Sequence, residues 1–138
     1  MTGLPALCLT IPSEPRYVSL AGALLRTFCE QVELPSGDAA KLELAAVEGI
    51  NNAIEHAYRE QAGFEVAIHA RIGEGCLRVE VRDRGATLST PPTKGMPDPW
   101  DEHGRGWPLM RACVDRVDYR SDAAENVLTL TKRLPAPE

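Results

Sequence analysis

Residues 64–83 read Phe64-Glu65-Val66-Ala67-Ile68-His69-Ala70-Arg71-Ile72, then Gly73-Glu74-Gly75, then Cys76-Leu77-Arg78-Val79-Glu80-Val81-Arg82-Asp83. Both runs alternate with a period of two, and Gly73 and Gly75 flank the one residue between them. This predicts an antiparallel hairpin of two half-buried strands. Two further runs, about 116–121 and 126–133, predict a last pair of strands, and Ala6-Leu7-Cys8-Leu9-Thr10-Ile11 between Pro5 and Pro12 predicts an edge or first strand.

Helices fill the spaces between. Ser13 offers an N-cap, with Glu14 and Pro15 in first-turn positions. Val18, Leu20, Leu24, Leu25 and Phe28 then recur at helical spacing through about Val32. After the break at Leu34-Pro35-Ser36-Gly37-Asp38, a second helix is expected from about Asp38 to Glu60, and a short third one from Leu109 to Val117. Residues 86–103, with four prolines and one glycine, predict a long surface loop of the kind that often serves as a lid. The order is strand, helix, helix, strand, strand, loop, helix, strand, strand. Consecutive hairpins exclude a doubly wound parallel sheet. They predict an α+β chain, a two-layer sandwich with a mixed, mostly antiparallel sheet and the helices on one face, residues 1–138 forming one domain.

Composition is that of a globular core: 43% hydrophobic and 25% charged residues in 138, enough to bury roughly 70% of the unfolded surface. Fifteen Lys and Arg against 20 Asp and Glu leave a net charge of −5, which gives no general attraction for nucleic acid or anionic lipid. No basic N-terminal region and no run of ~18 apolar residues occurs, so neither a leader nor a membrane span is expected and the location is read as cytoplasmic. Cys8, Cys29, Cys76 and Cys113 form no C-x-x-C pair and are expected as free, semi-buried thiols.

The second helix carries Glu48-Gly49-Ile50-Asn51-Asn52-Ala53-Ile54-Glu55-His56-Ala57-Tyr58. Gly49, Asn51 and Asn52 are poor helix formers placed mid-helix, so something other than helix stability selects them. Steps of four drift by only about 40° and put Glu48, Asn52 and His56 on one stripe. An Asn amide oxygen suits Mg²⁺, which takes few protein ligands, and a carboxylate one turn away suits a general base. Taken alone, the stripe is equally compatible with a solvated helix face. Arg82-Asp83-Arg84-Gly85 alone is compatible with an ordinary turn. Gly104-Arg105-Gly106 before a helix makes an anion site but lacks the P-loop and dinucleotide patterns.

Their order carries more. A helix with Glu-x-x-x-Asn, a strand ending in Asp-x-Gly, a long loop and Gly-x-Gly opening a helix resembles the GHKL ATPase superfamily over nearly the whole chain. Glu48-x-x-x-Asn52-Ala53-Ile54-x-His56-Ala57-Tyr58, Val81-Arg82-Asp83-Arg84-Gly85-Ala86 and Gly104-x-Gly106-x-x-Leu109-Met110 with Asp115-x-Val117 resemble the bacterial anti-sigma-factor serine/threonine kinases of partner-switching modules. The resemblance implies that Asn52 holds Mg²⁺ on the ATP phosphates and that Glu48 is the base for the substrate hydroxyl. Asp83 would accept a hydrogen bond from the adenine amino group, and Gly85 would let the backbone approach the ring. Gly104 and Gly106 would let the lid fold over the phosphates, and Arg105 is the basic lid residue expected at the γ-phosphate, ahead of His103 and Lys94. It further implies a small anti-sigma-factor antagonist protein as substrate, a sigma factor or similar regulator as the sequestered partner, and a homodimer with the first strand and helix near these contacts. A nucleotide-gated binding module without phosphotransfer is the alternative. Departures are Ala86-Thr87-Leu88, which lacks a second glycine, and Trp107-Pro108 in the last box, where Trp107 is expected to pack in the core. A phosphoacceptor hairpin is not expected within these 138 residues, and they carry none of the motifs of eukaryotic-type kinases.

Overall fold

The computed structural model describes residues 5–87 and 106–136. Five strands, β1 (Leu7–Pro12), β2 (Glu65–Gly73), β3 (Cys76–Asp83), β4 (Arg116–Ser121) and β5 (Asn126–Arg133), form one sheet in the order β1-β2-β3-β5-β4. Every neighbouring pair is antiparallel, so the expected mixed sheet contains no parallel pair among the described strands. The reason for the first pair is the two helices between β1 and β2, which return the chain to the end at which β1 stops. The β2–β3 turn places Glu74 at φ 54° and Gly75 at φ 73°, both positive, which is the conformation whose twist matches a two-residue hairpin.

Period-two alternation divides the sheet. Val66, Ile68, Ala70, Leu77, Val79, Val81, Leu128 and Leu130 point inward and are buried with Leu25, Leu42, Ile50, Ile54 and Met110 of the helices in one core, completing an α+β fold with its helices on one face. The outer face is charged. Glu80 Oε1 accepts from Arg71 Nε at 3.1 Å and from Arg82 Nη2 at 3.0 Å, and Arg82 also pairs with Glu125. Burial acts to raise the Glu80 carboxyl, but the hydrogen bonds from these two arginines prevail and hold it below its ordinary value.

Three helices cover the inner face: α1 (Val18–Gln31), α2 (Ser36–Asn52) and α3 (Gly106–Cys113). Gly49 owes its place in α2 to the sheet, because a Cβ there would stand 2.5 Å from Leu128 Cδ2. None of the described helices is long and apolar enough to cross a membrane.

Four local expectations are corrected. Ser13 caps no helix: its hydroxyl donates to Gln61 O and accepts from Phe64 N, tying β1 to the segment before β2. Pro15–Tyr17 accordingly forms a 3₁₀ turn ahead of α1. The regular second helix stops at Asn52 and continues as a π turn, Ala53–Ala57, instead of running to Glu60, where Arg59 and Glu60 adopt positive φ values. The third helix begins at Gly106, with Pro108 tolerated in its first turn, and ends at Cys113 so that β4 can start at Arg116. All four cysteines are free, Cys8 being exposed where semi-burial was expected.

Candidate functional site

The inward row of β3, Leu77, Val79 and Val81, ends in a carboxylate, Asp83, where the pattern would place another apolar residue. Opposite Asp83 in the register stands Asn126, which likewise ends the inward row of Leu128 and Leu130 on β5. Both are buried, at 6% and 3% exposure. Asp83 Oδ1 accepts from Asn126 Nδ2 at 2.8 Å and from Gly85 N at 2.9 Å, and no described hydrogen bond falls on Oδ2. Burial raises the Asp83 carboxyl above its ordinary value, and the Asn126 and Gly85 donors offset part of that rise.

From the other layer, Gly49 and Asn52 of α2 and Ala53 at the start of the π turn lie on the same side. With Val81, Asp83, Trp107, Tyr119 and Leu128 they line one cavity of about 10 Å³, the room of a single water molecule. Asn52 is 6% exposed, and its Nδ2 has no hydrogen-bond partner among the described residues. An unsatisfied buried amide costs about 1–3 kcal/mol, a cost that a side chain with a packing role alone has no reason to carry. No group of three or more His, Cys, Asp or Glu able to hold a metal occurs among the described residues. The Asn52 amide oxygen is of the kind that suits Mg²⁺, which takes few protein ligands and completes its shell with water and phosphate.

Glu48 lies one turn before Asn52 in α2, half-buried and outside the cavity lining. His56 lies in the π turn, where Tyr58 N bonds Ala53 O at 2.9 Å in place of the carbonyl a regular helix would use, and it does not line the cavity. His56 Nε2 lies 3.9 Å from Glu55 Oε2. Gly85 is confined by the protein itself. A Cβ there would meet Ala57 O at 2.4 Å and Ala57 C at 2.6 Å, so glycine lets the β3 exit press on the π turn, and Ala86 N closes the contact by donating to Ala57 O at 2.9 Å. Trp107 is 2% exposed, packs edge-on to Tyr119 with centroids 6.0 Å apart, and forms a cavity wall as part of the core. Gly106 opens α3, while Gly104, Arg105, His103 and Lys94 lie outside the described residues.

Two residues that hold this arrangement were not singled out from sequence. Asn126 is one; its signal is a polar residue at an inward register position. Tyr58 is the other: its hydroxyl donates to Glu65 O at 2.7 Å and accepts from Arg84 N at 2.8 Å, and its ring stacks on Phe64 with centroids 4.8 Å apart. It thereby joins the end of the π turn to the start of β2 and the exit of β3.

The family described as histidine kinase-like ATPase domain matches residues 11–132, spanning β1 to β5 and both faces of the cavity. The chain belongs to that family. This histidine kinase-like ATPase domain is 28% identical to the serine-protein kinase RsbW of Bacillus velezensis over 133 residues, covering 90% of this chain and 82% of that protein. It is 26% identical to RsbW of Bacillus subtilis with the same coverage. Among solved structures, the RsbU and RsbW domains of Rv1364c from Mycobacterium tuberculosis match with a TM-score of 0.68 at 22% identity, over 93% of this chain and 31% of that one. A blue-light activated histidine kinase of Erythrobacter litoralis matches with a TM-score of 0.57 at 21% identity, over 74% of this chain and 32% of that one. The domain thus spans about a third of either solved chain, and these two likenesses concern the fold.

Proposed function

We propose that this chain is an ATP-dependent protein serine/threonine kinase of the partner-switching kind. It binds Mg²⁺-ATP, phosphorylates a small anti-sigma-factor antagonist protein, and in its other state sequesters a sigma factor or similar regulator, acting in the cytoplasm as a homodimer. The observation that carries the reading is the pairing of two buried polar side chains, Asn52 from α2 and Asp83 from β3, on one cavity.

Each residue has a task suited to its surroundings. Asp83 accepts a hydrogen bond from the purine amino group through the oxygen that Asn126 and Gly85 leave unengaged. Asn52 supplies an amide oxygen to Mg²⁺, which when bound neutralises phosphate charge. Glu48, one turn away, takes the proton from the substrate hydroxyl as its oxygen bonds the γ-phosphorus and the bond to the bridging oxygen of ADP breaks. Gly104, Arg105 and Gly106 are assigned to the phosphates from the sequence motif, and Gly85 keeps the purine side of the site pressed to the π turn. Leu20 and Leu24, one turn apart on α1 and 51% and 46% exposed, offer an apolar contact for a protein partner. The names of the Bacillus relatives support the same activity.

Transfer of labelled γ-phosphate from Mg²⁺-ATP to small proteins of a source-organism lysate tests this. The natural chain is expected to label one small protein on Ser or Thr, and Glu48→Ala and Asp83→Asn to label none. ATP binding without any transfer would replace the kinase with a nucleotide-gated binding module.

A further inference from the structure

The Asn126 amide is held by four polar groups. Its Nδ2 donates to Asp83 Oδ1 at 2.8 Å and to Gly85 O at 3.1 Å and lies 3.4 Å from Ala86 O, while its Oδ1 accepts from the Thr87 hydroxyl at 3.2 Å. Every neighbour of Nδ2 is an acceptor, so only one orientation of the amide satisfies the cluster. Gly85 N donates to the same carboxylate oxygen. With two donors on Oδ1, any proton on Asp83 is confined to Oδ2. An ionised Oδ2 can only accept a hydrogen bond, whereas a protonated carboxyl would donate one.

That difference is chemically legible to a purine. A 6-amino group presents a donor, and a 6-oxo group presents an acceptor at the same place. We infer that Asn126 is a positioning residue for base selection, holding Asp83 through Oδ1 as an acceptor so that Asp83 selects 6-aminopurine nucleotides in preference to 6-oxopurine ones. Asn126 itself does not line the cavity, so it acts through Asp83. The inference rests on the nucleotide reading above. Removing the amide leaves the Asp83 carboxyl buried with Gly85 N as its remaining donor, and the same burial then favours the neutral, donating form.

Calorimetric titration of the full chain with Mg²⁺-ATP and with Mg²⁺-ITP tests it, using the natural chain and Asn126→Leu, which has a similar shape without donors. The natural chain is expected to bind ITP about 10- to 100-fold more weakly than ATP, the range for one mismatched buried hydrogen bond. In Asn126→Leu, ATP affinity is expected to fall while ITP affinity rises as the neutral carboxyl donates to the 6-oxo group, bringing the ratio within about 3-fold of unity. A thermal melt reports folding, and Asn126→Ala, also without a side-chain donor, serves in the same titration if the leucine variant is unfolded. Parallel weakening of both nucleotides at an unchanged ratio would reduce Asn126 to a structural role and overturn the inference alone. Binding of neither nucleotide by the natural chain would overturn the nucleotide reading and this inference with it.

Discussion

Gly85→Ala is the perturbation whose consequence is most firmly set by the geometry. The added methyl would stand 2.4 Å from Ala57 O, 2.6 Å from Ala57 C and 2.9 Å from Tyr58 Cδ1. The first two are backbone atoms of the π turn, so no rotamer change relieves the contact, and the β3 exit must withdraw by about an ångström to regain van der Waals distance. Withdrawal breaks the 2.9 Å bond from Ala86 N to Ala57 O and strains the 2.8 Å bond from Arg84 N to Tyr58 Oη. Overpacking costs about 1–3 kcal/mol and a buried hydrogen bond about 1 kcal/mol, so a loss of about 2–4 kcal/mol is expected. Urea unfolding followed by circular dichroism measures it, with Gly37→Ala as the control, because a Cβ at Gly37 meets nothing within 4 Å. Gly37→Ala is expected to be stabilising by up to about 1 kcal/mol through helix propensity. A Gly85→Ala chain as stable as the natural one would refute the claim that this glycine exists to admit the π-turn backbone.

Other outcomes follow from the same contacts. Tyr58→Phe leaves Glu65 O and Arg84 N without their shared hydroxyl and is expected to cost about 1–3 kcal/mol in urea unfolding; a loss below the error of the fit would contradict its bridging role. Glu80, whose carboxyl is held below its ordinary value of 4.5, stabilises the fold above that pH and loses this contribution as pH falls through its lowered value. Glu80→Gln is therefore expected to be less stable than the natural chain at pH 7, with the gap narrowing below pH 4.5, and a gap constant down to pH 3 would contradict the pairing with Arg71 and Arg82. Burial pushes the Cys29 thiol up to about 11, so a thiol reagent at pH 8 should modify exposed Cys8 in the native chain and reach Cys29 only on unfolding, as peptide mapping would show.

What was legible in the sequence is what depends on local pattern. The hairpin is written in the alternation of residues 64–83 and in Glu74-Gly75, both of which adopt positive φ. Asn52 was legible as a poor helix former mid-helix, one turn from Glu48, and Asp83 as the Asp of an Asp-x-Gly ending a strand, and the structure places both on one cavity. Gly49 was legible as an anomaly, but its cause, Leu128 on β5, is 79 positions away in the chain and declares itself only when the layers pack. The π turn was not legible, because the contact it makes through Ala57 comes from the β3 exit rather than from helix propensity. Ser13 carries a helix-cap signal that a nearer demand overrides, the Gln61 carbonyl and Phe64 amide beside β2. Asn126 shows the reverse case: its inward register was readable, but its significance required knowing that β5 lies beside β3 with Asp83 opposite.

In the proposed function, Asn52 and Asp83 hold the two ends of one nucleotide. Calorimetric titration of ATP into the natural chain, Asn52→Ala and Asp83→Asn, each with and without Mg²⁺, tests it most directly. One ATP per natural chain is expected, with an affinity lower by at least about 10-fold in Asp83→Asn and loss of the Mg²⁺ enhancement in Asn52→Ala. Binding by both variants with the affinity and Mg²⁺ dependence of the natural chain would contradict it.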